Sequence, residues 1–189
     1  MKKAFTLAEV LITLGIVGVV SAMTIPTLVQ NYQNRELEAK AKKTYSTLAQ
    51  AFEELMRKNN AVTLSDTNFI SDPYTALRSV LTVANTGSPQ GYGIEGNDEL
   101  TIDQDVQITF ADGTYVTFST PTVNNVGSQI IVDTNGEKRP NRFGRDVLVF
   151  YVMRNGDIVS GSQSGFTGSF ATGASTTQTL MQNGWEISN

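Results

Sequence analysis

The sequence predicts an α+β fold, in which a long N-terminal helix carries an antiparallel sheet on its C-terminal half. Residues 5–58 keep a helical pattern with no obvious loop, and residues 106–159 contain short alternating or continuous apolar runs between tight-turn dipeptides. Helical and strand patterns therefore occupy separate parts of the chain, which is typical of α+β proteins.

The first part of the predicted helix is apolar. Residues 10–29 contain no charged side chain, and a helix of twenty residues spans about 30 Å, the hydrocarbon thickness of a bilayer. Because Lys2 and Lys3 precede this run, we expect a cytoplasmic N-terminus and an exported remainder. A secretory signal peptide is the alternative. The length of the run, the acid Glu9 at its start and the helix that follows all disfavour it.

Residues 30–58 continue the helix with an amphipathic pattern. Apolar residues recur at steps of three and four, which predicts one buried face. They are Leu37, Ala41, Tyr45, Leu48, Phe52 and Leu55. Asn59 and Asn60 are expected to end the helix. We assign core packing, and no chemistry, to this stripe.

The remainder of the chain is read from turns and alternation. Strands are predicted at 106–110, 115–118, 129–133, 147–153 and 158–159, with hairpin turns at Asp112-Gly113 and Asn155-Gly156. A short helix is expected from Pro73, and a Gly-rich loop at 85–99. Residues 161–177 are rich in Gly, Ser and Thr, which predicts a mobile surface loop before a short helix at 177–183 that Gly184 ends.

Composition excludes several function classes. The chain has no cysteine, which rules out disulfides and thiolate metal sites, and no histidine, the commonest general base. A formal net charge of -4 disfavours nucleic acid as a partner. With no recognisable nucleophile–base pair either, we do not expect an enzyme.

The segment KKAFTLAEVLITLGIVGVV at residues 2–20 resembles the processing motif of type IV prepilins and type II secretion pseudopilins. In that family a short basic leader ends at a small residue, and the mature chain has a glutamate at its fifth position. The resemblance implies a leader of residues 1–4, cleavage between Ala4 and Phe5, and Glu9 as that glutamate. Ala4 departs from the glycine usual in the family.

The resemblance also assigns roles to three residues. A prepilin peptidase would cut and then N-methylate Phe5, and the Phe5 amine would pair with Glu9 of a neighbouring subunit, offsetting desolvation. A simpler interpretation of Glu9 is a helix N-terminal acid that favours the macrodipole. Pro26 is expected to kink or locally unwind the helix. It then provides either a flexible point for assembly or a marker of the membrane boundary.

The domain organisation follows from these motifs. We expect a leader at 1–4, a transmembrane and filament-assembly helix at 5–29, and an α+β head at 30–189. The resemblance implies a subunit of a type II secretion pseudopilus or type IV pilus in the bacterial inner membrane, with its head in the periplasm or outside. The implied partners are other pilin-like subunits, the prepilin peptidase, the inner-membrane assembly platform and lipid. The alternative function is a membrane-tethered binding or adhesion module.

One loop concentrates oxygen ligands. Asp133, Asn135 and Glu137 alternate, and Asp146 follows across a second turn, a donor set that suits calcium. The twelfth position from Asp133 is Gly144, so the loop is not an EF-hand. Some pseudopilins carry calcium in a corresponding loop. Turn chemistry, with the acids bonded to local amides, is the alternative that needs no cofactor.

Overall fold

The structure is a computed structural model of the chain, and it describes residues 5–83, 107–119, 126–136, 138, 141–161 and 169–187. The chain divides into two compact units. The first ends at Glu36 and the second comprises Leu37–Asn189.

Helix α1 runs through Leu7–Lys58. A 3₁₀ turn follows at Leu64–Asp66 and a short helix, α2, at Pro73–Arg78. The predicted end of α1 is confirmed, because Asn60 adopts a left-handed conformation with φ of 50°. The short helix predicted from Pro73 is also confirmed. Asp72 caps it by accepting the Thr75 amide at 3.0 Å.

Within the described residues, five strands form one antiparallel sheet in the order β1-β2-β3-β4-β5. The strands are Gln107–Thr109, Tyr115–Ser119, Val126–Asp133, Val147–Met153 and Ile158–Val159. Each strand pairs with the next along the chain, as expected for a meander connected by hairpins. The predicted strands are confirmed, and β3 begins three residues earlier than its apolar run indicated.

One face of the sheet packs on the part of α1 that belongs to the second unit. The predicted stripe is confirmed, with Phe52 at 0% and Leu48 and Leu55 at 1% exposure. These side chains share a core with Ile130 and Phe150 of the central strands. Full burial of such side chains stabilises a fold by about 1.5–3 kcal/mol each, so this face holds the head together.

The opposite face of the sheet is covered by α3, Ser169–Gln182. Ala174 of α3 lies in a second apolar cluster with Val147, Val149 and Tyr151 of β4. Thr177 donates its hydroxyl to the Gly173 carbonyl at 2.8 Å and accepts the Val149 amide at 2.9 Å.

The prediction of a loop at 161–177 is therefore wrong for residues 169–177, which are helical. Gly, Ser and Thr have low helix propensity, but packing against β4 outweighs that preference. The predicted loop at 85–99 lies outside the described residues. The predicted end at Gly184 is confirmed, with a left-handed φ of 71° two residues after Gln182, the last helical residue.

Candidate functional site

The start of α1 is closed by a reciprocal pair of side chains. Glu9 Oε2 accepts both the Thr6 amide and the Thr6 hydroxyl at 2.8 Å, and Thr6 Oγ1 accepts the Glu9 amide at 3.3 Å. This is a capping box, in which two unpaired helix amides are satisfied by the first turn itself. In the structure Glu9 thus has a local role, and Thr6 is a helix-capping residue that the sequence reading missed. The T-x-x-E spacing was the signal for it.

The apolar run of α1 has its large side chains exposed. Phe5 is 87% exposed, and the large apolar residues from Leu7 to Val29 range from 42% to 79%. Burial of these side chains would remove a large apolar surface from water, which is favourable. The segment is therefore poorly suited to a single chain in water.

Two of the four hydroxyl side chains within the run, Thr13 and Thr24, form hydrogen bonds with the helix itself. Thr13 Oγ1 donates to the carbonyls of Glu9 and Val10 at 3.0 and 2.9 Å, and Thr24 Oγ1 donates to the Val20 carbonyl at 2.9 Å. Because hydrocarbon offers no hydrogen-bond partners, such internal bonding suits a lipid or packed-helix environment. Within the described residues, α1 is the one helix long and apolar enough to cross a membrane. A signal sequence near an N-terminus meets the same criterion.

Pro26 lies inside α1, and helical residues continue on both sides of it. The local unwinding expected at this proline is absent. A bend at Pro26 stays a prediction. Ala4, on the leader side of the predicted cleavage, lies outside the described residues.

The Asp133–Asp146 loop brings three of its four predicted ligand residues together through hydrogen bonds. Asp133 Oδ1 accepts the amides of Asn135 and Gly136, each at 3.0 Å. Asp146 Oδ1 accepts the Arg142 amide at 2.8 Å, and its Oδ2 accepts Asn135 Nδ2 at 3.1 Å. These are the bonds that turn chemistry predicts.

The electrostatics of the loop are dominated by burial. Asp146 is fully buried, and this desolvation raises its pKa above the ordinary value, against the lowering effect of the Arg142 amide and the Asn135 side chain. Asn135 Oδ1 is buried without a hydrogen-bond partner. The described residues contain no cluster of three acidic side chains that could hold a metal, and Glu137 lies outside them. Calcium binding stays an untested alternative to turn chemistry.

An open groove of about 260 Å³ lies beside α3. Phe143 and Leu180 supply apolar lining, and Thr179, Asn183 and Glu186 supply polar groups. The lining is mixed in character and presents no convergent set of buried polar groups, which a small-molecule site normally has.

Comparisons of the chain with protein-family models, with curated proteins and with solved structures returned no match.

Proposed function

We propose that this chain is a pilin-like subunit of a bacterial type II secretion pseudopilus or type IV pilus. In this proposal a prepilin peptidase cuts between Ala4 and Phe5, and α1 then assembles with the helices of like subunits. The observation that carries the proposal is the exposed apolar half of α1 directly after a basic leader with the prepilin motif.

The architecture of the second unit supports a structural role for the chain. The amphipathic part of α1 is itself a core element of the head, since Phe52 and Leu55 are buried against the sheet and α2. An ordinary cleaved signal peptide would be removed ahead of the folded domain. Here the apolar segment and the core of the head share one helix, so cleavage after residue 29 would cut within α1.

The capping box adds a constraint on how Glu9 would act in a filament. Its carboxylate is already an acceptor for Thr6, and one carboxylate has about four lone-pair positions. Glu9 can therefore cap its own helix and still accept a charged amine from a neighbouring subunit. The two interpretations of Glu9 are compatible in this proposal.

The test is the N-terminal mass of the protein purified from membranes of cells that carry a matching prepilin peptidase. We expect a chain that starts at N-methylated Phe5. Cells with an inactive peptidase are the control, and there we expect the chain to start at Met1.

Two variants sharpen this test. Ala4→Gly restores the family's usual residue and is expected to be cut at least as fast as the natural sequence, whereas Ala4→Leu is expected to stay uncut. A chain that starts at Met1 despite an active peptidase, or one cut beyond residue 29, would contradict the filament proposal.

A further inference from the structure

Three Asn-Gly dipeptides occur in the chain, at Asn135, Asn155 and Asn183. In such a pair the glycine amide nitrogen can attack the asparagine side-chain carbonyl carbon and form a cyclic imide. The bond between the side-chain carbonyl carbon and its NH₂ group breaks, and this group takes the glycine amide proton and leaves as ammonia. Water then opens the ring to aspartate or isoaspartate. Glycine favours the attack because it lacks a Cβ and rotates freely.

Hydrogen bonds restrain the side chains of two of these asparagines. Asn135 Nδ2 donates to Asp146 Oδ2 at 3.1 Å. Asn155 Nδ2 donates to Asp157 Oδ2 at 2.7 Å, and Asn155 Oδ1 accepts the Asp157 amide at 3.2 Å. Each side chain must give up these bonds before its carbonyl carbon can turn toward the glycine nitrogen.

Asn183 differs from both. Its side chain is exposed, as that of Asn155 is, but it takes part in no hydrogen bond among the described residues. It lies just after the last turn of α3, where helix ends open most readily. The Gly184 amide donates to the Met181 carbonyl at 3.2 Å, a longer bond than the 2.9 Å bond from Gly156 to Met153.

The space around the following glycine also separates Asn183-Gly184 from the other two dipeptides. A Cβ placed on Gly136 would lie 2.7 Å from the Gly113 carbonyl oxygen, and one on Gly156 would lie 2.6 Å from Met56 Cε. A Cβ on Gly184 would meet nothing within 4 Å. Gly184 is also exposed, whereas Gly136 is buried and Gly156 is half-buried, so base and water reach the Gly184 residue with less obstruction from the chain.

A C-terminal clasp, Gly184–Ile187, begins at this dipeptide. Its Trp185 ring packs against Tyr45 and Phe150 with centroid distances of 5.6 and 6.4 Å. The Ile187 amide donates to Glu38 Oε1 at 2.9 Å. The clasp thus ties the end of α3 to α1 within the second unit.

We propose that Asn183-Gly184 is a site of spontaneous deamidation and that its isoaspartate product releases the clasp. In the structure the Trp185 amide donates to the Leu180 carbonyl at 2.7 Å. Isoaspartate adds one main-chain atom between residues 183 and 184, which shifts the Trp185 amide away from this carbonyl. The new carboxylate also places negative charge at the C-terminal end of α3, where the helix dipole disfavours it. This inference does not depend on the filament proposal.

The experiment uses the full chain in detergent micelles, incubated in mildly alkaline buffer and sampled by peptide mapping that resolves aspartate from isoaspartate. Asn183 is expected to convert several-fold faster than Asn135 or Asn155. Conversion at Asn135 or Asn155 that equals or exceeds conversion at Asn183 would overturn the proposed site.

Tryptophan emission reads the state of the clasp, because Trp185 is the single tryptophan of the chain. We expect a shift to longer wavelength that follows the conversion in the natural sequence and in Asn155→Gln, but is absent in Asn183→Gln. Asn183→Asp, which adds the charge without the extra atom, is expected to shift the emission less than isoaspartate does. Conversion with unchanged emission would overturn the release of the clasp, and an equal shift in Asn183→Asp would overturn the role of the extra atom.

Discussion

Asp146 is the residue at which burial and hydrogen bonding compete most directly. Its carboxylate accepts a backbone amide and a side-chain amide, yet desolvation outweighs both and raises its pKa. Asp112 has the opposite balance. Partial burial raises its pKa, but bonds from Lys43 and Thr114 outweigh burial and hold the pKa below the ordinary value. The two acids therefore respond to pH with opposite signs.

The first prediction concerns Asp146→Asn. Because the folded-state pKa of Asp146 is raised, its contribution to stability is fully present below the unfolded pKa and is lost as pH rises through the folded pKa. The variant avoids this loss, and its new amide can pair with Asn135 if the Asn135 amide turns its unpartnered Oδ1 inward. Urea unfolding at a series of pH values should show the variant gaining stability relative to the natural sequence as pH rises from the unfolded-state pKa of Asp146 to its folded-state pKa.

Asp112→Asn is the matched control. Its carboxylate, with a lowered pKa, contributes stability above the ordinary aspartate pKa that is lost as pH falls through the folded pKa. This variant should therefore lose stability relative to the natural sequence as pH rises. Parallel pH profiles for the two variants would contradict the assigned balance of burial and hydrogen bonding.

Calcium gives a second prediction on the same loop. Asp133 and Asp146 already accept three backbone amides between them, so turn chemistry accounts for their positions without an ion. We expect the urea midpoint of the natural sequence to be equal in EDTA and in saturating calcium. A rise with calcium that disappears in Asp146→Asn would instead establish the calcium site, because a ligand stabilises the state that binds it.

At the scale of elements, α3 depends on packing. Gly173 lies so close to β4 and its preceding loop that a Cβ there would be 2.5 Å from Phe143 Cδ1 and 2.8 Å from Val149 Cγ2. Gly161 donates its amide to the Ala174 carbonyl at 2.9 Å and so ties the chain after β5 to the helix. These contacts lie far apart in sequence, which explains why composition alone predicted a loop here.

We predict that Gly173→Ala destabilises the head. Alanine improves helix propensity by about 1 kcal/mol, but overpacking of a tight core costs about 1–3 kcal/mol. The methyl group would press on the Phe143 ring and on Val149, a β-branched side chain that is fully buried. Chemical denaturation should therefore give a lower free energy of unfolding. Thr179→Ala, at an exposed position of the same helix, is the control and should change stability little.

Pro26 provides a prediction within α1. Its missing amide leaves the carbonyl four residues earlier without its usual partner, and a proline inside a helix costs about 3 kcal/mol. Pro26→Ala should therefore increase amide protection around residues 22–30 when hydrogen exchange is measured in micelles. Thr27→Ala keeps the proline and should leave this protection unchanged. Equal protection in the two variants would show that Pro26 does not loosen the helix.

Across the whole molecule, sequence reasoning succeeded where the signal was local. The strands were predicted because alternation and turn dipeptides lie side by side in sequence, and the buried stripe of α1 followed from helical spacing. The capping box at Thr6 and Glu9 was readable and was overlooked. The burial of Asp146 was not readable, because it arises from a turn at Arg142 and a strand register that only the folded head defines.

The last prediction separates the two roles of Glu9 in assembly. Glutamine at the third position of a helix also completes a capping box, so Glu9→Gln keeps the cap with Thr6 and removes only the charge. If a neighbouring Phe5 amine needs that charge, Glu9→Gln should be processed normally but should form far fewer filaments, as counted in sheared-cell fractions.

Thr6→Ala, which weakens the cap and keeps the charge, should assemble better than Glu9→Gln. Glu53→Gln, an exposed acid elsewhere on α1, controls for charge removal alone. Normal assembly of Glu9→Gln would leave capping as the sole role of this residue and would remove the charge pair from the filament proposal.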